Sequence, residues 1–280
     1  MQVKKNESLK KYTTLKLGGI GKNFYIPESI DDLVAITKKI KDYYIIANGS
    51  NLLINDKKIY ENVIYMNKMN RTLSFNNGII EAGASIKIQE LINFSNKNNY
   101  GGIEYLYSVP ATIGGAIYMN AGRGKNYNKS ISDYIIDITI YDGQIVRVIE
   151  KKDCDFSYRS SIFKSNNWVI LSARFKFDFM TIEESTKLKN ERKEYAKNIQ
   201  DSGKPNAGTV FRESNMKIMN LIKKLNFGWK NGMAYSNKTS NWIINNGKGT
   251  YKQAKFLINI CIFVHKLFLK NIKQEYIEWK

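Results

Sequence analysis

One histidine, His265, stands in a chain of 280 residues. That leaves next to no room for histidine-ligated zinc or for a Ser-His-Asp triad. Cysteine occurs twice, at Cys154 and Cys261, far apart and without metal-ligand spacing. Both read as buried or reduced thiols of a cytosolic protein, and no metal site is expected. Long hydrophobic runs are missing as well. The most apolar C-terminal stretch, Phe256 to Leu269, is broken by Asn259, His265 and Lys266, too short and too polar to span a bilayer. The N-terminal MQVKKNESLKKYTT lacks the apolar core of a signal peptide. Acidic residues are few: 25 Asp and Glu against 44 Lys and Arg, a net charge of +19. A balance of that sign raises nucleic acid or a membrane surface as partners. The lysines, however, sit singly or in pairs between apolar residues, and no nucleic-acid-binding module is present. A lysine- and asparagine-rich background without a nucleic-acid partner is therefore the preferred reading, with some of the excess serving an anionic ligand.

What is present supports an ordinary core: 43% of the residues are hydrophobic. The most informative stretch is Tyr105 to Gly124, YLYSVPATIGGAIYMNAGRG, which holds four of the 19 glycines and one of three prolines. Gly114-Gly115-Ala116 has almost no side-chain volume, so backbone there can approach a flat or charged group at contact distance. Ile113, Ile117 and Met119 alternate with small or polar residues, as on a short strand or irregular wall. Asn120 adds an amide. The pattern suits a segment pressed against a planar cofactor.

Along the chain, Thr14 to Leu17 and Phe24 to Ile26 read as short strands. Ser29 caps a helix to about Ile40, with Asp31 and Asp32 in its first turn. The apolar strand Tyr43 to Ala47 runs into Asn48-Gly49-Ser50-Asn51 and then Leu52-Leu53-Ile54. Strand, loop and apolar run in that order suit a turn that cradles phosphate with uncharged donors; Asn-Gly-Ser is equally an ordinary hairpin turn. Short strands follow at 62–66, 71–75 and 78–82, then an amphipathic helix from Ile86 to Lys97. After the glycine-rich stretch come strands at 130–140, 144–149 and 168–177. The polar helix Thr181 to Asn198 links two domains. Beyond it, a turn at Gly203 to Phe211, a helix from Asn215 to Lys224, a strand at 242–245, a helix capped by Thr250 and a final strand at 272–279 make a small α+β unit.

In this order the motifs resemble those of the UDP-N-acetylenolpyruvoylglucosamine reductase family. The matching pieces are Tyr12-Thr13-Thr14 with Gly18-Gly19, the Asn48 to Leu53 turn, Glu81 to Ala84, Val109 to Gly122, and Phe156 to Arg159 with Ser161. They continue with Ala207 to Phe211, Ile243 to Asn245 with Gly247 and Thr250, and Glu275. The resemblance runs from about residue 10 to the end. It implies an α+β chain: a VAO/PCMH-type FAD-binding fold over 1–180, then a small substrate-binding domain over 181–280. That fold needs no G-x-G-x-x-G motif.

The resemblance also assigns residues. Asn48, Gly49, Ser50, Asn51 and Leu52 match the loop that holds the FAD pyrophosphate, and Ala111, Thr112, Gly114, Gly115 and Ala116 match the wall beside the flavin, with Asn120 next to it. Arg159 matches the arginine whose planar fork suits the enolpyruvyl carboxylate. Glu275 matches the C-terminal glutamate acting on the same intermediate. Thr209 falls where the family's proton donor, a serine, stands. Tyr158, Lys204, Arg212 and Lys238 are candidate substrate contacts. The implied reaction is ping-pong: NADPH reduces FAD, and hydride then passes to the enol-ether double bond of a nucleotide sugar. A cytoplasmic monomer is expected. The chain departs from the family pattern at Pro110-Ala111-Thr112, at Phe211-Arg212-Glu213-Ser214, at Asn231-Gly232 and at Lys238 to Trp242. These departures leave open a related flavin enzyme on another nucleotide sugar, or a silent flavin-binding paralogue.

Overall fold

The structure is a computed structural model that describes residues 1–123, 128–201 and 203–280. Gly124, the last residue of the glycine-rich stretch, lies outside the described residues. The described α-helices are α1 (Ile30–Lys39), α2 (Ile88–Lys97), α3 (Ile113–Tyr118), α4 (Ile182–Ile199), α5 (Met216–Lys224) and α6 (Tyr251–Leu267), set among short strands. The α+β class expected from the sequence is the one observed. None of the described helices is long and apolar enough to cross a membrane.

The chain forms two compact units that interleave in sequence. Unit one comprises 1–3, 25–47 and 64–194; unit two comprises 4–24, 48–63 and 195–280. The expected division into 1–180 and 181–280 does not follow these units. Two N-terminal segments belong with the C-terminal third, and the later boundary falls inside α4. Packing between residues far apart in sequence decides that grouping, and composition along the chain carries no trace of it.

Unit one is built on a five-stranded antiparallel sheet in the spatial order Val146–Glu150, Ile135–Tyr141, Val169–Phe175, Ile79–Gly83, Leu73–Asn76. The central strand, VILSARF, is buried at every residue except Arg174. Arg174 pairs across the ladder with Asp137, whose carboxylate accepts from its Nε at 2.9 Å. A buried carboxylate needs such a partner. Leu91 and Ile92 of α2, with Ile113, Ala116 and Ile117 of α3, join the sheet in one apolar core. α1 begins as expected: Ser29 Oγ accepts from the Asp32 amide at 3.1 Å, with acids in the first turn and Lys38 and Lys39 in the last.

Unit two joins Asn206–Thr209, Trp242–Asn245 and Met233–Tyr235 in one antiparallel sheet. The C-terminal strand expected over 272–279 is two strands with different partners. Lys273–Gln274 pairs with Phe211–Glu213, and Ile277–Trp279 runs parallel to Leu52–Ile54. α5 and α6 cover the core formed with Leu15, Leu17 and Leu53. Asn215 caps α5, and Thr250 with Gln253 forms a capping box on α6. His265 is fully buried. Its Nε2 accepts from the Asn215 amide at 3.0 Å and its Nδ1 lies 2.8 Å from the Cys261 carbonyl, so it links the two helices. Cys154 and Cys261 are buried free thiols, and burial pushes both up to about 11.

Two local readings are corrected. Thr14 to Leu17 is not a strand. The Thr13 hydroxyl donates to the Leu17 carbonyl at 2.8 Å and accepts from the Leu17 amide at 3.1 Å, closing a loop before the strand Ile20–Ile26. The segment after Thr112 is the helix α3 and neither strand nor irregular wall. Its two glycines are offset by tertiary anchoring: the Ile113 and Gly114 amides donate to the Ile86 and Ala84 carbonyls at 2.8 and 2.9 Å.

Candidate cofactor and substrate site

In unit one the small-residue stretch is fixed at both ends. Ala111 accepts from the Ile88 amide at 3.0 Å, and the buried Thr112 caps α3 by accepting from Gly115 N at 3.3 Å. The two glycines differ in why they are small. A Cβ on Gly114 would meet the Ala84 Cβ at 3.0 Å, so packing within the fold requires that residue. A Cβ on Gly115 would meet only Thr112 Oγ1, at 3.5 Å. Nothing else among the described residues demands a glycine there, which leaves a bare backbone face where a flat group can lie.

Just past the C-cap Met119 of α3 stands Asn120, buried and in the left-handed region with φ of 43°. Its Nδ2 donates to the Ser157 carbonyl at 3.0 Å, and its Oδ1 accepts from Ser132 N at 3.4 Å. Ser161 Oγ donates to the Tyr118 carbonyl at 2.7 Å. These two links tie the wall to the turn that carries Tyr158 and Arg159. Ser157 and Ser160 exchange backbone hydrogen bonds of 3.1 and 3.0 Å, leaving Tyr158 and Arg159 at the corner. Arg159 has φ of 56°, and its carbonyl accepts from Lys164 Nζ at 2.6 Å. Left-handed backbone on an arginine is a strained choice. The half-buried guanidinium lies 5.8 Å from the exposed Tyr158 ring. Asn120 thus braces the Arg159 turn with the amide that the sequence offered to the cofactor.

In unit two the Asn48 to Asn51 turn leads into the strand Leu52–Ile54. Gly49 has φ of 57°, and a Cβ there would lie 2.3 Å from the Tyr12 carbonyl oxygen. Thr14 N donates to the Gly49 carbonyl at 3.3 Å. The Tyr12-Thr13-Thr14 motif is therefore the floor of the turn. Asn51 reaches the other way: its Nδ2 donates to the Glu275 carbonyl at 3.1 Å, and its carbonyl accepts from Ile277 N at 2.9 Å.

Glu275 and Tyr276 fill the break between the two C-terminal strands and hold the segment around Thr209. The Glu275 amide donates to the Val210 carbonyl at 2.7 Å, and the Tyr276 hydroxyl donates to the Gly208 carbonyl at 3.0 Å. Tyr276 is buried, and burial drives its phenol well above the usual range, so it stays a neutral donor. The neighbours of half-buried Thr209 are thus clamped by consecutive residues, with Gly208 in the left-handed region at φ of 72°. Tyr276, one of 18 tyrosines, carries no sequence signal for this role.

The remaining candidates are held by the protein itself. Lys204 Nζ donates to Asn246 Oδ1 at 3.2 Å and Lys238 Nζ to the Lys197 carbonyl at 2.7 Å. Arg212 is half-buried in the strand Phe211–Glu213. Glu213, one of the departures from the family pattern, pairs with Lys273 at 3.0 Å. Taken by itself, the bare face over Gly115 in unit one suits a planar ring system, and the glycine turn at Asn48 to Asn51 in unit two suits a phosphate; each is a fit to one part of a flavin dinucleotide.

Residues 22–148 match the family model described as the FAD binding domain. Fold and site thus define the class as a flavoprotein of the FAD-binding type. The curated UDP-N-acetylenolpyruvoylglucosamine reductase of Pseudothermotoga lettingae is 31% identical, over 92% of this chain and 91% of its own. That of Clostridium novyi is 32% identical, over 92% and 86%. A crystal structure of UDP-N-acetylenolpyruvylglucosamine reductase from Thermus caldophilus superposes with a TM-score of 0.82, covering all of both chains at 23% identity, which establishes the shared fold. The chain belongs to the UDP-N-acetylenolpyruvoylglucosamine reductase family.

Proposed function

We propose that this protein reduces UDP-N-acetylglucosamine enolpyruvate to UDP-N-acetylmuramate in peptidoglycan precursor synthesis, with FAD as cofactor and NADPH as hydride donor. The observation that carries the reading is the backbone clamp of Glu275 and Tyr276 on either side of Thr209, in a chain of this family. We assign cofactor binding to 1–180 and substrate binding to 181–280 as functional regions. Asn48 to Leu52 would hold the pyrophosphate through backbone and amide donors. Ala111, Thr112, Gly114, Gly115 and Ala116 would lie along the ring system, with Asn120 bracing that wall. When bound, FAD supplies the carrier that accepts hydride from NADPH and passes it to the enol ether.

The protein's own residues do the rest. The Arg159 guanidinium binds the enolpyruvyl carboxylate through two parallel hydrogen bonds and offsets the charge that builds toward an enolate. Thr209 Oγ1 delivers a proton to the enolate carbon. Its clamped backbone and β-branched side chain narrow the directions in which that hydroxyl points. Glu275 acts on the same enolate. Tyr158, Lys204, Arg212 and Lys238 contact the nucleotide sugar. The protein works as a cytoplasmic monomer. The test is anaerobic titration of the purified yellow protein with NADPH: full bleaching supports the reading, and a colourless protein that takes up no FAD overturns it.

A further inference from the structure

We infer that unit two carries a docking surface for an anionic phospholipid bilayer, formed by the outward face of α6 and the loop that follows α5. The surface is separate from the residues assigned to catalysis.

The positive charge is not evenly spread. From Ser214 to Gln274 there are eleven lysines and no aspartate or glutamate, so this stretch alone carries eleven of the net +19. α6 lies inside it and is apolar on two opposite faces. Ala254, Ile258, Cys261 and His265 are buried against the unit-two core. On the far side the exposed Phe256, Phe263 and Leu267 recur at seven- and four-residue steps, one line along the helix, with the partly buried Ile260 between the first two. Phe263 is 66% exposed and Leu267 is 69% exposed. Eleven residue-to-residue rises from Phe256 to Leu267 make the ridge about 16 Å long.

Both ends of the ridge continue into exposed apolar runs bracketed by lysine. At one end Trp229 meets Phe256 edge-on at 5.7 Å, in the exposed run Leu225 to Trp229 between Lys224 and Lys230. At the other, Leu267-Phe268-Leu269 stands between Lys266 and Lys270. Leu269 is 92% exposed and has φ of 51°. It closes α6 in the left-handed position where glycine is favoured, with Lys270 N donating to the His265 carbonyl at 2.8 Å. A leucine there strains the backbone and places its side chain in solvent, so the fold gains nothing from it.

Charge selects the occupant. Two copies meeting through this face would bring like-charged lysine-rich surfaces together, since of the eleven lysines only Lys255 and Lys273 have ion-pair partners, Glu278 and Glu213, among the described residues. A nucleic acid would use the lysines but offers nothing to a protruding ridge of leucine and phenylalanine. An anionic bilayer answers both features: its acyl boundary accepts a convex apolar ridge, and its headgroups meet the flanking ammonium groups.

The test uses the full-length, flavin-loaded protein, sedimented with vesicles of phosphatidylcholine alone or of phosphatidylcholine with phosphatidylglycerol. Wild type should bind the anionic vesicles at least ~10-fold better than the neutral ones, with binding falling as salt rises. The triple variant F263S/L267S/L269S should keep its flavin and melting temperature and lose at least ~10-fold in partition. Leu269→Gly supplies a variant that cannot fail by unfolding: it relieves the left-handed strain, so it should raise the melting temperature while weakening vesicle binding. No binding to anionic vesicles overturns the proposal, and so does a triple variant that binds as well as wild type. Two further results would also overturn it: a dimer that the triple variant dissociates, or an equal loss of duplex DNA affinity in that variant.

Discussion

The amide of Glu275 donates to the carbonyl of Val210 at 2.7 Å, and through that bond the C-terminal segment sets the position of the residue before it, Thr209. The next residue, Tyr276, holds the Gly208 carbonyl on the other side. Asn51, in the turn before Leu52–Ile54, supports the same Glu275 through its side-chain amide. Three short segments of unit two therefore locate a hydroxyl that the sequence alone presents only as one more threonine.

Tyr276→Phe tests that clamp. Removing the phenolic oxygen leaves the Gly208 carbonyl without this donor and should destabilise the protein by ~1–3 kcal/mol. It should slow substrate reduction more than it raises KM, because the hydroxyl of Thr209 loses its fixed direction. Thermal melts and steady-state kinetics on the same preparation check both. Unchanged stability and turnover would remove Tyr276 from the account.

The wall glycines separate packing from cofactor contact. Gly115→Val should leave the fold intact, since only Thr112 Oγ1 lies near the added Cβ, and should abolish flavin binding. Gly49→Ala should instead destabilise the protein itself, by ~1–2 kcal/mol from left-handed backbone alone and further from the clash with the Tyr12 carbonyl. Visible absorbance and melting temperature distinguish the two. A Gly115→Val protein with full flavin content would show that the ring system lies elsewhere.

Acid stability should depend on Glu278. Burial raises its carboxyl, but hydrogen bonds from Tyr251 and Lys255 outweigh this and hold it below the usual range. A carboxylate lowered in the fold contributes stability above its unfolded value of about 4.3, lost as pH falls through the folded value. Glu278→Gln should therefore melt lower than wild type at neutral pH, and the gap should close on acidification. A gap that is constant with pH would assign the effect to packing.

Much of the fold was legible where a local rule acts alone. Ser29 before Asp31 and Asp32, and Thr250 with Gln253, mark helix starts because a side chain three residues away satisfies the first amides. Legibility failed where distant partners decide. The exposed, charged strand Gln2–Ser8 has no apolar alternation to reveal it. The strand expected over 272–279 changes partners at Glu275, which periodicity cannot show. α3 contains two glycines and forms because Ala84 and Ile86 anchor its first turn. The residue types of Arg159 and Thr209 stood out only through their order among other motifs. The left-handed backbone of Arg159 and the brace from Asn120 exist only in the folded chain.

The central claim is that a positioned Thr209 hydroxyl completes the reduction of an enolpyruvyl nucleotide sugar. The most direct measurement is stopped-flow absorbance of enzyme first reduced anaerobically with NADPH, then mixed with UDP-N-acetylglucosamine enolpyruvate. Wild type should reoxidise and form UDP-N-acetylmuramate. Thr209→Ser should match or exceed it, because the hydroxyl stays and the crowding methyl goes. Thr209→Ala should be reduced by NADPH at nearly the wild-type rate but reoxidise at least ~10²-fold more slowly. An alanine variant that reoxidises as fast as wild type would contradict the role of Thr209, and a wild-type enzyme that bleaches with NADPH yet never reoxidises would contradict the substrate.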